Sequence, residues 1–314
     1  MNKLDFWTPV TYTKHSSWET LLLEKVDSYF YIGGMKARVI KGHELNGSKG
    51  VCLVEDKPLY TAWKVATFII GFIPLLALKY VLRKRNPFHL LNGPYQNEVS
   101  RTVHKYPGNL SSEYKALFNA NSEDGLIKLK LDTRESFDIS IRNQDLFKSS
   151  AEVIVNAANS HLGGGGGIDG AIHRHGGNSY KQGHRILRDV YESEYTSGHA
   201  ALISSGELVS KYKIEKVIVV NGPSGKSTEK NKSELYSCYY NSLVLADAQK
   251  IKSIAFPSIS TGIFSYPKED AAEISLKAIF DFTLKNPDTT LKTISIHFQD
   301  DEGPKTYAKA LKNE

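Results

Sequence analysis

The chain has 314 residues, of which 40% are hydrophobic and 24% charged, with a formal net charge of +6. That length suits two ordinary domains or one large one, and the composition excludes both a disordered chain and a many-span membrane protein. Two cysteines, Cys52 and Cys238, are too few for a disulfide scaffold or a cysteine-based zinc site, which points to structural thiols in a reducing compartment.

The first 18 residues lack the basic-then-apolar pattern of a cleavable secretory signal. Residues 28–34 and 37–40 read as short strands around a glycine turn. Residues 65–78 are uncharged, and the apolar character continues to Leu82, just before Arg83-Lys84-Arg85. A spanning helix wants about 20 apolar residues, and shorter runs are more often core helices. Against that, Trp63 and Tyr80 bracket the run as an interfacial aromatic pair would, Lys79 could snorkel, and Gly71 and Pro74 would kink a helix into a hairpin. Both a membrane contact through 65–85 and a buried core helix fit such a segment; a span would place everything after Arg85 in a cytosol. The basic excess gathers around this run, within the first 124 residues. A membrane surface is therefore favoured over nucleic acid as its partner, and no specific nucleic acid is expected. Residues 86–124 carry Pro87, Asn92-Gly93-Pro94 and Pro107-Gly108 with few apolar positions, and read as a linker with one short helix near 114–118. The N-terminal region so defined, 1–124, has an apolar helical segment at 65–82 and no chemistry of its own.

From Leu126 onward strands and helices alternate. Strands are predicted at 127–131, 136–141, 153–155, 217–220, 253–259 and 292–298, and helices start at 168, 235 and 270. This alternation predicts an α/β layer fold with a mostly parallel sheet, whose ligands sit at the carboxyl ends of the strands. Five consecutive glycines, Gly163 to Gly167, join the buried strand at 153–155 to the helix at 168. So many glycines are entropically costly, and a bare backbone feeding a helix N-terminus is suited to an anion such as a diphosphate. No Gly-Lys-Ser/Thr closes the loop as in a Walker motif, and no G-x-G-x-x-G fingerprint is present.

The stretch Asn156-Ala157-Ala158-Asn159, followed by Leu162, the glycines, and Ile168-Asp169-Gly170-Ala171-Ile172-His173, closely resembles the MacroD-like class of the macrodomain family. A second stretch, Phe256 to Pro267, is similar to that family's second phosphate loop, and Phe137-Asp138-Ile139-Ser140 to the strand end that receives the adenine amino group. The resemblance implies a three-layer α/β/α macrodomain with a central mixed sheet over 125–314. It implies ADP-ribose and ADP-ribosylated proteins as partners, with no cofactor and no metal. Asp138 and Ile139 would then hold the adenine, and Gly164, Gly165, Gly166, Gly167 and Ile168 would clamp the diphosphate from one side. Ser260, Thr261, Gly262, Ile263 and Phe264 would close on it from the other. Phe264 would pack on the distal ribose, Phe298 would stack on adenine, and Asn156 would pin the loop while touching the ligand. Asn159 would orient the distal ribose and Asp169 would accept a proton from an attacking water, with His173 orienting that carboxylate. The implied activity is hydrolysis of mono-ADP-ribose from acidic side chains, or deacetylation of O-acetyl-ADP-ribose; a binding module without turnover is the alternative. Ser265 stands where the family usually has glycine, and Asn221 where a His is usual. The N-terminal segment resembles those of uncharacterised proteins of chlamydia-like intracellular bacteria, which assigns no activity and suggests a cytosolic eraser delivered into a host cell.

Overall fold

The computed structural model describes residues 6, 9–12, 17–31, 34–45, 48–56, 62–86, 88–90, 99–123, 126–131, 134–191 and 195–312. The chain divides into two compact units, one of Met1–Asn97 with Ile186–Glu192, the other of Glu98–Arg185 with Ser193–Glu314.

In the first unit, β1 (Val10–Thr11), α1 (Trp18–Tyr29), β2 (Gly34–Leu45), β3 (Ser48–Asp56), α2 (Ala62–Arg85) and β4 (Phe88–Leu90) follow in order, and the strands form a sheet in the order β1-β2-β3-β4. Of the strand expected at 28–34, Ser28 and Tyr29 instead end α1 and Gly34 opens β2, while 32–33 lie outside the described residues. A reciprocal capping box between Ser17 and Thr20 starts that helix, and Leu23 and Val26 turn one face into the core. α2 contains the apolar run and Pro74, and no helix among the described residues is long and apolar enough to cross a membrane. The side chain of Trp63 lies outside the described residues, as does that of Cys52. Lys79 does not snorkel. It is fully buried, with its ammonium 3.2 Å from Asp27, whose other oxygen lies 3.0 Å from Arg83 and accepts the Val10 N–H. Burial raises the Asp27 carboxyl above its ordinary range, and Arg83 and then Lys79 pull it back.

The second unit holds β5 (Val99–Ser100), α3 (Ser112–Ala116), β6 (Phe118–Glu123), β7 (Leu126–Leu131), β8 (Arg134–Asn143), a 3-10 turn at Leu146–Lys148, β9 (Val153–Ala158), α4 (Gly167–Tyr191), β10 (Ala200–Ser204), α5 (Leu208–Tyr212), β11 (Lys216–Asn221), α6 (Glu229–Ala248), β12 (Ser253–Pro257), α7 (Lys268–Lys285), β13 (Thr293–Phe298) and α8 (Glu302–Leu311). Its nine strands run in the order β5-β10-β11-β9-β12-β13-β8-β7-β6. The five in the middle, β11 to β8, are mutually parallel, and the flanking pairs are antiparallel, so the sheet is mixed. Central strands are apolar on both faces and buried on both, as Val153-Ile154-Val155 shows, whereas β7 alternates Ile127 and Leu129 inward with Lys128 and Lys130 outward. Val153 and Val155 pack into a cluster with α6, α7 and α8 residues such as Leu235, Ile279 and Tyr307. Asn156, of opposite parity, contacts α4, which therefore covers the other face.

The segment after Glu98, expected as linker up to 124, belongs to this unit. β5 extends the sheet edge beside β10, and Tyr106 and Leu110 bury in the core cluster. Its backbone is held by α6 and α7: Ser237 Oγ accepts from His104 N at 2.7 Å, Ser233 Oγ from Tyr106 N at 3.0 Å, and Glu273 Oε1 from Leu110 N at 3.2 Å. The helix expected near 114–118 is the single turn of α3, capped by Ser111, after which the chain enters β6. Cys238 is buried in α6, and burial pushes its thiol up to about 12, in keeping with a structural role.

Candidate functional site

A cleft opens at the carboxyl ends of β8, β9, β11, β12 and β13, where the parallel strands deliver their loops. It has two chambers. The larger, about 620 Å³, lies between Gln144, Leu146 and Phe147 after β8 and Phe298, Gln299 and Asp300 after β13. The smaller, about 310 Å³, is lined by Asn159, Asp169, Gly222, Ser260, Ile263 and Phe264. Gly167, Ile168, Ser258 and Gly262 border both and form the waist. The first turn of α4 starts at Gly167, so its free N–H groups and positive dipole end lie at that waist.

Backbone geometry explains the glycines. Gly164 and Gly167 have φ of 82° and 59°, the left-handed region that glycine enters without strain. A Cβ on Gly170 would lie 2.1 Å from the Gly165 carbonyl, and one on Gly166 would lie 2.9 Å from the tip of Ile263. The start of α4 thus packs on the glycine loop through bare backbone, and the second loop meets Gly166 through the Ile263 side chain. The second loop takes strain without glycine: Ser260 and Ser265 have φ of 69° and 53°. The Ser265 N–H donates to Gly262 O at 2.9 Å and the Tyr266 N–H to Ser260 O at 3.0 Å, which hold that turn closed.

Beneath the glycine loop lies a buried polar chain. Asn156 donates from Nδ2 to Asp169 Oδ1 at 2.7 Å and to the Tyr180 hydroxyl at 2.9 Å. The Tyr180 hydroxyl is 2.8 Å from His184 Nε2, and His184 Nδ1 is 3.3 Å from Leu162 O. His173 Nε2 sits 3.3 Å from Asp169 Oδ1, with its ring edge-on to Tyr180 and His184. Asp169 is only 4% exposed, and its Oδ2 makes no hydrogen bond. Asn159 donates to Gly164 O at 3.0 Å and accepts from His161 N at 3.1 Å, which holds its side chain beside Gly165.

Most of the expected residues converge. Asn159, Gly165, Gly166, Gly167, Ile168, Asp169, Ser260, Gly262, Ile263 and Phe264 line the smaller chamber, and Thr261 and Phe298 the larger. Gly164 stands behind the loop, against the His173 ring. Three expectations are corrected. Asn156 is fully buried and holds the side chains of Asp169 and Tyr180, so it offers no surface to a ligand. Asp138 pairs in register with Thr293, at the amino end of β13, while Asn143 pairs with Phe298 at the cleft. Five residues of strand, roughly 16 Å, separate Asp138 from the site. Ile139 is a fully buried core residue. The carboxylate at the correct end of β8 is Asp145, which accepts the Phe147 N–H at 3.1 Å in the 3-10 turn beside the larger chamber. Tyr180 and His184 were also overlooked. Asp169, His173, Tyr180 and His184 are spaced by four, seven and four, a readable helical spacing, although Gly177, at φ 67°, kinks α4 between His173 and Tyr180. His297 in the larger chamber is held neutral: burial lowers it to about 4, against the opposing bond to Gln144 O.

A family profile described as "Macro domain" matches residues 155–275. A macro domain-containing protein of Listeria monocytogenes is 37% identical over 179 residues, covering 56% of this chain and 98% of its own length. An O-acetyl-ADP-ribose deacetylase of Salmonella newport is 38% identical over 168 residues, covering 53% of this chain and 90% of its own. The solved structure of the Oceanobacillus iheyensis macrodomain with ADP aligns at a TM-score of 0.53 and 32% identity, covering 59% of this chain and 94% of that one. A mutant of the same macrodomain with ADPR aligns at 0.53 and 28%, covering 59% and 96%.

Proposed function

The chain belongs to the macro domain family, and from that premise we propose that its cleft binds ADP-ribose and hydrolyses ADP-ribosyl esters, releasing mono-ADP-ribose from acidic side chains of proteins and accepting O-acetyl-ADP-ribose as a related ester. The macro domain itself is assigned to 125–314, with residues 98–124 as an extension packed on it. The single observation that carries the hydrolase reading is Asp169. It lines the smaller chamber with one carboxylate oxygen anchored by Asn156 and the other unengaged. A group used only for binding or capping gains nothing from a nearly buried oxygen left without a donor.

In this reading adenosine occupies the larger chamber, with the Phe298 ring against the base and Asp145 at the end of β8 as acceptor for the exocyclic amine. The diphosphate lies at the waist, facing the first N–H groups of α4 and the turn at Gly262. The distal ribose enters the smaller chamber between Asn159 and Phe264. There a water attacks the anomeric carbon. A C–O bond forms to the water oxygen, the bond to the side-chain carboxylate breaks with its electron pair leaving on that carboxylate, and the water proton passes to Asp169 Oδ2. His173 lies against the oxygen that Asn156 also holds, which leaves Oδ2 as the proton acceptor. For an acetyl ester the same water attacks the acyl carbon, the acyl C–O bond to the ribose breaks, and the ribose oxygen leaves as a hydroxyl, taking the proton that Asp169 had accepted from the water.

Release of ADP-ribose from a glutamate-automodified ADP-ribosyltransferase tests the reading, with Asp169→Ala and Asn159→Ala as controls. Asp169→Ala is expected to lower the rate by about 10²–10⁴-fold while ADP-ribose still raises the melting temperature. Tight ADP-ribose binding with no release by the wild type makes the domain a reader, and no binding rejects both roles.

A further inference from the structure

Among the described residues, Asn156 is the one that hydrogen-bonds Asp169 Oδ1 in good geometry, and which way its amide faces decides whether it donates to that carboxylate or opposes it. The ionised Asp169 carboxylate can only accept, which favours the amide nitrogen on its side, and the remainder of the buried chain enforces the same orientation independently. The Leu162 carbonyl can only accept, so in the neutral imidazole His184 Nδ1 carries the proton and Nε2 is an acceptor. The Tyr180 hydroxyl, fully buried, must then donate to His184 Nε2, which turns its lone pairs to Asn156. Asn156 in turn must offer N–H to Tyr180, and the second N–H of the same nitrogen points at Asp169. Burial, and then the charge of Asp169, pushes the Tyr180 hydroxyl well above its ordinary value, so it keeps the proton it has to donate.

We propose that Tyr180 and His184 are positioning residues for Asp169: they lock the Asn156 amide as a donor to Oδ1, and so leave Oδ2, beside Gly165 of the glycine loop, as the oxygen without a hydrogen bond. The proposal rests on the hydrolase reading above for its catalytic consequence. It also ties the aim of Asp169 to the glycine loop, because the chain of donors ends on Leu162, a buried residue at φ 53° immediately before the glycines. Loss of the loop's shape at Leu162 would free the His184 tautomer, and with it every bond up to Asp169.

The test uses the full chain with Tyr180→Phe, His184→Leu and His184→Gln, the last of which keeps an amide oxygen to accept from Tyr180. Tyr180→Phe and His184→Leu are expected to lower kcat by about tenfold or more with KM and ADP-ribose affinity within about twofold, and His184→Gln to recover most of the rate. A merely structural role predicts lower melting temperature and weaker binding without a selective loss of kcat, and would overturn the proposal. A second readout does not depend on turnover. In the free protein the two Asn156 side-chain amide protons should resonate apart and exchange slowly with solvent, lose that protection in Tyr180→Phe and His184→Leu, and keep it in His184→Gln. Unchanged Asn156 resonances in Tyr180→Phe sink the proposal whether or not the wild type is a hydrolase. Resonances that change as expected in an inactive wild type uphold the positioning and reject only the hydrolase reading.

Discussion

The cleft of the second unit and the surface of α6 and α7 crossed by residues 99–111 are both polar, yet they treat polarity in opposite ways. On the crossing side the serine and asparagine side chains of one α6 face are all used. Ser233 and Ser237 accept from the crossing backbone, and Asn241 donates to Thr102 O and Gly198 O at 2.8 Å each. Nearby, Asp281 takes Lys277 Nζ at 2.6 Å and the Tyr236 hydroxyl at 2.8 Å, with Lys277 also 4.2 Å above the Tyr114 ring. Around the cleft, Asp169 Oδ2, His173 Nε2 and Ser260 Oγ are buried without a hydrogen bond, and Leu162, Ser260 and Ser265 hold left-handed backbone. Satisfied groups add stability, whereas unsatisfied groups and strained backbone subtract from it and persist where a ligand is to complete them.

The largest expected effect comes from removing the crossing segment. A chain starting at residue 125 should be less stable than one starting at 98 by on the order of 5 kcal/mol, because Tyr106 and Leu110 lose their burial and α6 loses its partners. Denaturant unfolding of the two fragments reads this directly; equal midpoints would return the segment to linker status. Next, Asp281→Ala should destabilise by about 3–5 kcal/mol, since Lys277 is then left buried without its counter-charge. ADP-ribose affinity, measured well below the melting temperature, should stay unchanged, and a parallel loss of binding would erase the distinction between the two sides. The smallest effect runs in the other direction. Ser265→Gly should stabilise by about 1 kcal/mol by relieving the left-handed serine in the second loop, read as a raised thermal midpoint. No gain there would mean that the loop is not strained where its φ angle says it is.

Much of this was legible from residue order. Val153-Ile154-Val155 and Val217 to Val220 are apolar on both faces, which only a central parallel strand explains, and the glycines between a strand and a helix announced a loop that must approach something closely. Asn159, Asp169 and the 260–264 loop were implied by the resemblance to the macrodomain family, and Asn159, Asp169, Ser260, Gly262, Ile263 and Phe264 meet in one chamber. Asp138 failed because alternation identifies a strand without saying which of its ends meets the cleft; the register of β8 on β13 decides that. The region 98–124 failed because its few apolar residues carry no periodicity, and its backbone is satisfied by side chains 127 to 163 positions away. Lys79 failed for the same reason, since its counter-ion Asp27 belongs to another helix.

The sequence by itself determined what can be settled within about a dozen neighbouring residues: which segments are strands or helices, where bare backbone is required, and which carboxylate stands beside the glycines. Only the tertiary structure decided which oxygen of Asp169 is engaged, which end of β8 faces the cleft, and that Tyr180 and His184 complete the chain under the loop. Hydrogen-bond direction and strand register are properties of pairs distant in sequence, and they acquire values only when the sheet and α4 bring those pairs together.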